Sequence, residues 1–190
     1  MLNITAFSQT KSGMENYHSL SRNESYVWMP VLHYMNKHGF YGEARYNYEE
    51  LQTGSLYAGK NFTGGEKINY SVTPMLGIVF GKYNGGSLAL NMDVEYKKIF
   101  FSGQIQYTVN KETNEENFFY NWSELGRKIG NKFYGGISIQ QTKLYGNKLT
   151  SDMGLLLGFE TGKITIPLYL FNPLSENRNL VVGLIVEWDD

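Results

Sequence analysis

Cysteine is absent from the 190 residues, which excludes a disulfide framework, a thiolate nucleophile and any cysteine metal site. Charge of one sign is also lacking. The formal net charge is −1, so no basic field marks a nucleic-acid partner and no acidic tail is present. No run of 18 apolar residues occurs, which rules out a transmembrane helix. It leaves a membrane barrel open, because a barrel strand needs only about 9–11 alternating residues. The three histidines, His18, His33 and His38, are too few and too scattered for a metal site. No glycine-rich loop opens a helix to cradle a phosphate, so no cofactor is expected. The first five residues lack a basic region and a long apolar core. That fits a processed form with an added Met, carrying no signal peptide, or a chain that is never exported.

What the chain does have is Gly (21), Tyr (15), Phe (11) and only 4 Pro, the composition of a β-rich protein with many turns. Segments of about ten residues alternate with a period of two. In 67–80, Ile68, Tyr70, Val72, Leu76, Ile78 and Phe80 share one face, and Asn69, Ser71 and Thr73 the other. The pattern predicts an all-β fold of one domain over 1–190, a single closed antiparallel transmembrane β-barrel of about 12 strands (range 10–12). Strands are expected at 2–10, 25–35, 40–49, 53–62, 67–80, 87–97, 99–110, 117–124, 131–143, 152–160, 163–171 and 179–188. The unbroken parity from Phe40 to Phe62 allows a single long strand there. Segment 11–24 reads as a long loop, extracellular in such a barrel. Long and short connections then alternate in a way that puts both termini on the periplasmic side. Pro30, Pro74 and Pro167 interrupt strand patterns, and bulges are the expected repair.

Alternation alone does not say which side of the wall is apolar. Three features point outward. The apolar parity is almost free of charge, Lys60 near a strand end being the exception. Its aromatics gather towards strand ends, as an interfacial girdle requires: Tyr48, Phe62, Phe80, Tyr96, Phe133, Phe159 and Trp188, together with Phe118, Tyr120 and Trp122. Third, about twelve strands enclose a space too wide for inward side chains to fill readily. With the apolar face in hydrocarbon, the polar parity lines a lumen. Its charged row is Glu43, Arg45, Asn47 and Glu49, spaced by two and so on one side of a strand, joined by Asp93, Glu95 and Lys132. Two readings of these residues stay open: a constriction that selects ions or solutes, or an internal salt-bridge network that plugs or stiffens the barrel.

The stretches 41–56, 72–81 and 119–126 (Tyr41-Gly-Glu-Ala-Arg-Tyr, Val72-Thr-Pro-Met-Leu-Gly and Phe119-Tyr-Asn-Trp-Ser-Glu at their starts) resemble a group of small bacterial outer-membrane β-barrel, porin-like proteins. The resemblance covers most of the chain after residue 25. It implies a Gram-negative outer-membrane location, with membrane lipid and the barrel-assembly machinery as partners, rather than an activity. The end, Trp188-Asp189-Asp190, departs from the terminal aromatic carboxylate that many such barrels present to that machinery.

The expected function is a porin-like channel for small solutes or a structural barrel with a charged lumen, without cofactor, metal or nucleic acid. Two alternatives have different chemistry. One is an outer-membrane lipid-modifying enzyme with His33 as its candidate base, although Val27, Met29, Val31 and Met35 on the same parity are apolar. The other is a soluble lipocalin-like barrel that binds a hydrophobic ligand inside.

Overall fold

The computed structural model describes residues 10–22, 25–112, 117–144 and 147–189. They form thirteen antiparallel segments: β1 (Lys11–Ser21), β2 (Val27–Met35), β3 (Phe40–Tyr46), β4 (Thr53–Lys60), β5 (Phe62–Gly64), β6 (Asn69–Gly81), β7 (Gly85–Tyr96), β8 (Ile99–Asn110), β9 (Phe118–Ile129), β10 (Phe133–Lys143), β11 (Thr150–Thr161), β12 (Ile164–Phe171) and β13 (Asn179–Asp189). Chain neighbours pair, and β1 pairs with β13 from Lys11↔Asp189 to Ser21↔Asn179. The other seam is β4 on β6. β5 also lies on β6 and continues the line of β4. The result is a closed barrel of twelve staves, one of them in two pieces.

The break in that stave explains Pro74. Gly59 faces Met75 and Phe62 faces Val72, three steps along each chain, so no residue has been inserted and the expected bulge is absent. The ladder simply skips where Pro74 has no N–H to give. Asn61 fills the gap: its side-chain amide donates to Ser71 Oγ (2.6 Å) and Thr73 Oγ1 (2.7 Å), and its backbone N–H goes to Gly39 O (2.8 Å). Pro167 sits in a similar gap, since Thr165↔Ile185 and Leu168↔Val182 pair without the residues between. Pro30 lies beyond the last β2–β3 pair, Val31↔Arg45. All three prolines occupy positions where the ladder asks for no donor.

The expected strand over 2–10 falls, but for residue 10, outside the described residues. The expectation of a loop over 11–24 is overturned by β1. The cause is visible in its residues. Its outward positions include Ser12, Asn16 and His18 and its inward ones Glu15, Ser19 and Ser21, so neither face carries an apolar stripe. It is held by its partners: eleven pairs to β13 and nine to β2.

Connections at one end are short: 36–39, 65–68, 97–98, 130–132 and 162–163. This turn end also carries the start of β1 and the end of β13. At the opposite, loop end lie 47–52, 82–84 and 172–178, together with the end of β1 and the start of β2, the end of β8 and the start of β9, and the end of β10 and the start of β11.

The wall has the orientation that alternation suggested. Ile105 (42% exposed), Leu157 (54%) and Leu184 (40%) stand outward, while Arg45 (3%) is enclosed. That excludes a soluble barrel with a greasy interior. Phe62, Tyr96, Phe133, Phe159 and Trp188 lie outward towards the turn end and Phe80 towards the loop end, with Tyr46 and Tyr107 also exposed there. The rings of Phe133 and Phe159 meet at 5.3 Å. Four girdle expectations fail. Phe118, Tyr120 and Trp122 are buried inside the barrel, and Tyr48 turns into the lumen. On β9 the outward places are taken by Asn121 and Ser123, which bond to each other (2.9 Å). Register with β8 and β10 runs without a bulge, so the lipid-facing Leu125 and Ile129 fix one phase for the whole strand.

Candidate functional site

The lumen divides at mid-height. Its loop-end half is filled. Rings from β1, β9 and β12 converge there, with Tyr17–Trp122 at 5.3 Å, Trp122–Tyr169 at 4.9 Å and Tyr169 stacked on Phe171 at 5.9 Å. Trp122 donates its indole N–H to Ser138 Oγ (2.9 Å). A twelve-stave barrel would be too wide for ordinary side chains, and glycine is what lets rings lie across it. Towards the turn end, where the cavity described below opens, Tyr134 of β10 leans over Gly158, its cross-strand partner, where a Cβ would stand 1.9 Å from the ring. Phe100 leans over Gly126 in the same way, at 2.3 Å. At the loop end Tyr83, from the 82–84 connection, is fully buried against Phe118 (6.3 Å), its N–H on Thr53 Oγ1 (3.2 Å).

The floor of this packed half is an ionic hub. Arg45 of β3 pairs through Nε with Glu43 Oε1 and donates from Nη1 across the lumen to Gln106 Oε1 of β8 (2.9 Å). Its guanidinium carbon lies 4.8 Å from the Tyr48 ring centre and 4.4 Å from that of Tyr57. Glu43 also accepts from Tyr41 (2.5 Å) and Asn91 (3.4 Å). Glu49 Oε1 accepts from Gln106 Nε2 and lies within bonding distance of the Tyr57 hydroxyl, both at 3.1 Å. A buried cation thus meets one carboxylate directly, a second through Gln106 and Tyr57, and two π faces, compensation that a charge out of water requires.

The connection 47–52 makes this possible by folding inward. Asn47 (φ 56°) and Gln52 (φ 59°) take the left-handed conformation, which Asn tolerates better than most residues. Asn47 closes the loop: its Oδ1 accepts from Gln52 N–H (2.8 Å) and its Nδ2 donates to Trp28 O (3.1 Å). Tyr48 and Glu49 then point into the barrel. Tyr48 donates to Gln104 and meets Tyr120 edge-on at 5.3 Å. Asn47 is therefore a turn residue, not a lumen residue. Glu49 reaches the lumen from a loop rather than from strand parity.

Below the hub the turn-end half is a cavity of about 240 Å³. Carboxylates dominate the charged groups of its lining: Glu15, Glu43, Asp93, Glu95, Glu124 and Glu187, against Lys11 and His33. Glu95 is held by Lys128 (3.0 Å to each oxygen). Asp93 and Glu95 thus line the lumen, but a storey away from the Arg45 hub. Lys132 does not: it lies exposed in the 130–132 turn, where its carbonyl accepts from Glu160 N–H (2.7 Å). His33 faces inward, 3.4 Å from Glu15 and stacked on Tyr41 at 6.1 Å. Gly13 beneath it has no room for a Cβ, which would lie 2.2 Å from Nε2. The geometry is that of a packed, ion-paired ring.

Sequence reasoning missed the aromatic side chains inside the lumen, although a signal was present. Inward glycines at Gly126, Gly154 and Gly158 each face a ring on the next strand (Phe100, Phe171 and Tyr134).

No protein-family model matches the chain, and no curated protein matches it in sequence. Solved structures do. The KdgM porin is 9% identical over 92% of this chain and 98% of that one, with a TM-score of 0.66. The NanC porin is 9% identical over 92% and 98%, with a TM-score of 0.64. OccAB4 of Acinetobacter baumannii is 11% identical over 96% of this chain and 62% of that one, with a TM-score of 0.52. At such identities the likeness is one of fold: this chain has the barrel architecture of the small bacterial outer-membrane porins.

Proposed function

We propose that this protein is a bacterial outer-membrane barrel of the porin-like kind, with its turn end in the periplasm, that admits small cationic or neutral polar solutes to an acidic vestibule and restricts them at the Arg45 hub. Membrane lipid would solvate its wall, and the barrel-assembly machinery would insert it. The observation that carries the reading is the charge of the cavity. Six carboxylates line it, and among the described residues Asp93, Glu124 and Glu187 form no ion pair. Lumen charges of one sign favour counter-ions. A KdgM porin structure is described as a complex with disordered oligogalacturonate, a polyanion. The vestibule of this chain has the opposite preference.

The test is conductance of the full chain in planar bilayers under a potassium chloride gradient. Cation-selective current is expected, with selectivity reduced by Asp93→Asn combined with Glu124→Gln. Anion selectivity would overturn the proposal. The packed loop-end half favours one second reading, a structural barrel that conducts nothing. Absence of current both in the parent and in Tyr48→Ala, which removes the loop's contact with the far wall, would establish it.

A further inference from the structure

The outer wall carries a feature that transport does not use. Between β4 and β8 a shallow apolar groove runs over Ala58, Pro74, Leu76, Leu90 and Ile105, with Lys60 at its turn-end mouth. The groove exists because the stave is small here (Ala58, Gly59) and because the ladder skips at Pro74. Lys60 is exposed on the lipid-facing parity, and its ammonium hangs over two girdle rings, 5.4 Å from the centre of Phe40 and 5.8 Å from that of Phe62. Among the described residues it has no carboxylate partner. A lysine on a lipid-facing wall is costly unless it lies near the interface, and here the aromatic belt marks the interface.

Glu66 apart, the charges of the turn-end connections share its sign. Every turn-end connection carries an exposed lysine: Lys37, Lys67, Lys97 with Lys98, Lys132 and Lys163. None of them pairs with a carboxylate among the described residues. Lys97 likewise sits over the ring of Tyr96, at 5.2 Å. A rim of cations against an aromatic belt suits a leaflet that bears negative headgroups. Within that rim, Lys60 is the cation placed on the wall itself, at the head of a chain-wide groove.

We infer that this groove is a binding site for an anionic glycerophospholipid, the phosphate on Lys60 and one acyl chain along Ala58, Pro74 and Leu76. The complementarity is double: a cation without a partner for the phosphate, and an apolar trough for the chain leading from it. The site lies on the outside, so it holds whether or not the lumen conducts.

The experiment is native mass spectrometry of the full chain released from detergent micelles holding equal dioleoylphosphatidylglycerol and dioleoylphosphatidylcholine. The parent protein retains the phosphatidylglycerol in preference. Lys60→Gln lowers that preference about fivefold, the worth of one lysine at an anionic surface. Ala58→Phe, which fills the trough and leaves the charge, lowers retention of both lipids. Lys132→Gln, in a turn-end connection away from the groove, changes little. Equal retention of the two lipids by the parent overturns the inference. So does a loss in Lys132→Gln as large as that in Lys60→Gln, which would assign the preference to the whole rim. All three variants keep the conductance of the parent, which separates failure here from failure of the channel proposal.

Discussion

Replacing Arg45 with alanine tests the hub most severely. Arg45 is 3% exposed, its guanidinium bonded to Glu43 and Gln106 and flanked by the rings of Tyr48 and Tyr57. Its removal leaves Glu43 and Glu49 enclosed without their cation. Breaking a buried pair from one side costs about 3–5 kcal/mol, chiefly through the charge left behind, and two lost cation–π contacts add about 0.5–2 kcal/mol each. Water entering the emptied space offsets part of this, so a net loss of about 4 kcal/mol is expected. With a urea slope of about 2 kcal/mol/M, the unfolding midpoint in lipid vesicles should fall by about 2 M. Tryptophan fluorescence reports it, since Trp122 sits in the packed half beside the hub. Conductance should rise in the same variant. The triple change Glu43→Gln, Arg45→Met, Glu49→Gln removes the charges together and should recover much of the stability, because an ion pair replaced by neutral groups is often near neutral. A midpoint for Arg45→Ala within about 0.3 M of the parent, with unchanged conductance, would refute the claim that this cluster closes the lumen.

Two further variants probe the devices that hold the wall. Gly158→Ala places a Cβ 1.9 Å from the Tyr134 ring, and the forced shift should cost about 1–3 kcal/mol by the same urea titration. Gly162→Ala makes a poor control because its φ is +58°, whereas Gly86, with open space around it, should accept alanine at little cost. Asn61→Ala removes the two donors that fill the Pro74 gap and leaves the buried hydroxyls of Ser71 and Thr73 short of a partner. It should cost about 1–3 kcal/mol, and the resulting loosening of β5 should appear as faster amide exchange in 62–64.

How legible the barrel was depended on the contrast between the two faces of each strand. β6, β11 and β13 carry an almost unbroken apolar row on one parity, while Asn, Ser, Thr, Asp, Glu and Gly interrupt the other, and their position and phase follow directly. β1 does not, because Asn16 and His18 share its outward face with Met14 and Leu20. A strand held mainly by the ladders of its neighbours leaves no stripe to read. On β9 the pattern misleads: three consecutive inward aromatics look like a lipid face until Leu125 contradicts them. Such a conflict is resolved by the partner strand, as when Asn121 is set opposite outward Ile105. The same limit applied to the lumen. The row Glu43, Arg45 follows from parity, but Glu49 and Tyr48 enter from a loop whose inward fold depends on Asn47 and on Gln104 across the barrel. Lys132 had the parity of a lumen residue and fell one residue outside its strand.

The lack of native cysteine makes the central claim directly measurable. Single cysteines at Ile105, Leu155 and Leu184, and at Asp93, Gln104 and Gln140, can each carry a nitroxide label in the vesicle-embedded protein. Collision with oxygen, enriched in hydrocarbon, should dominate at the first three sites. Collision with a water-soluble nickel chelate should dominate at Asp93 and Gln104, and Gln140, in the packed half, should be shielded from both. Nickel access at 105, 155 and 184 together with oxygen access at 93 would turn the wall inside out and contradict the account.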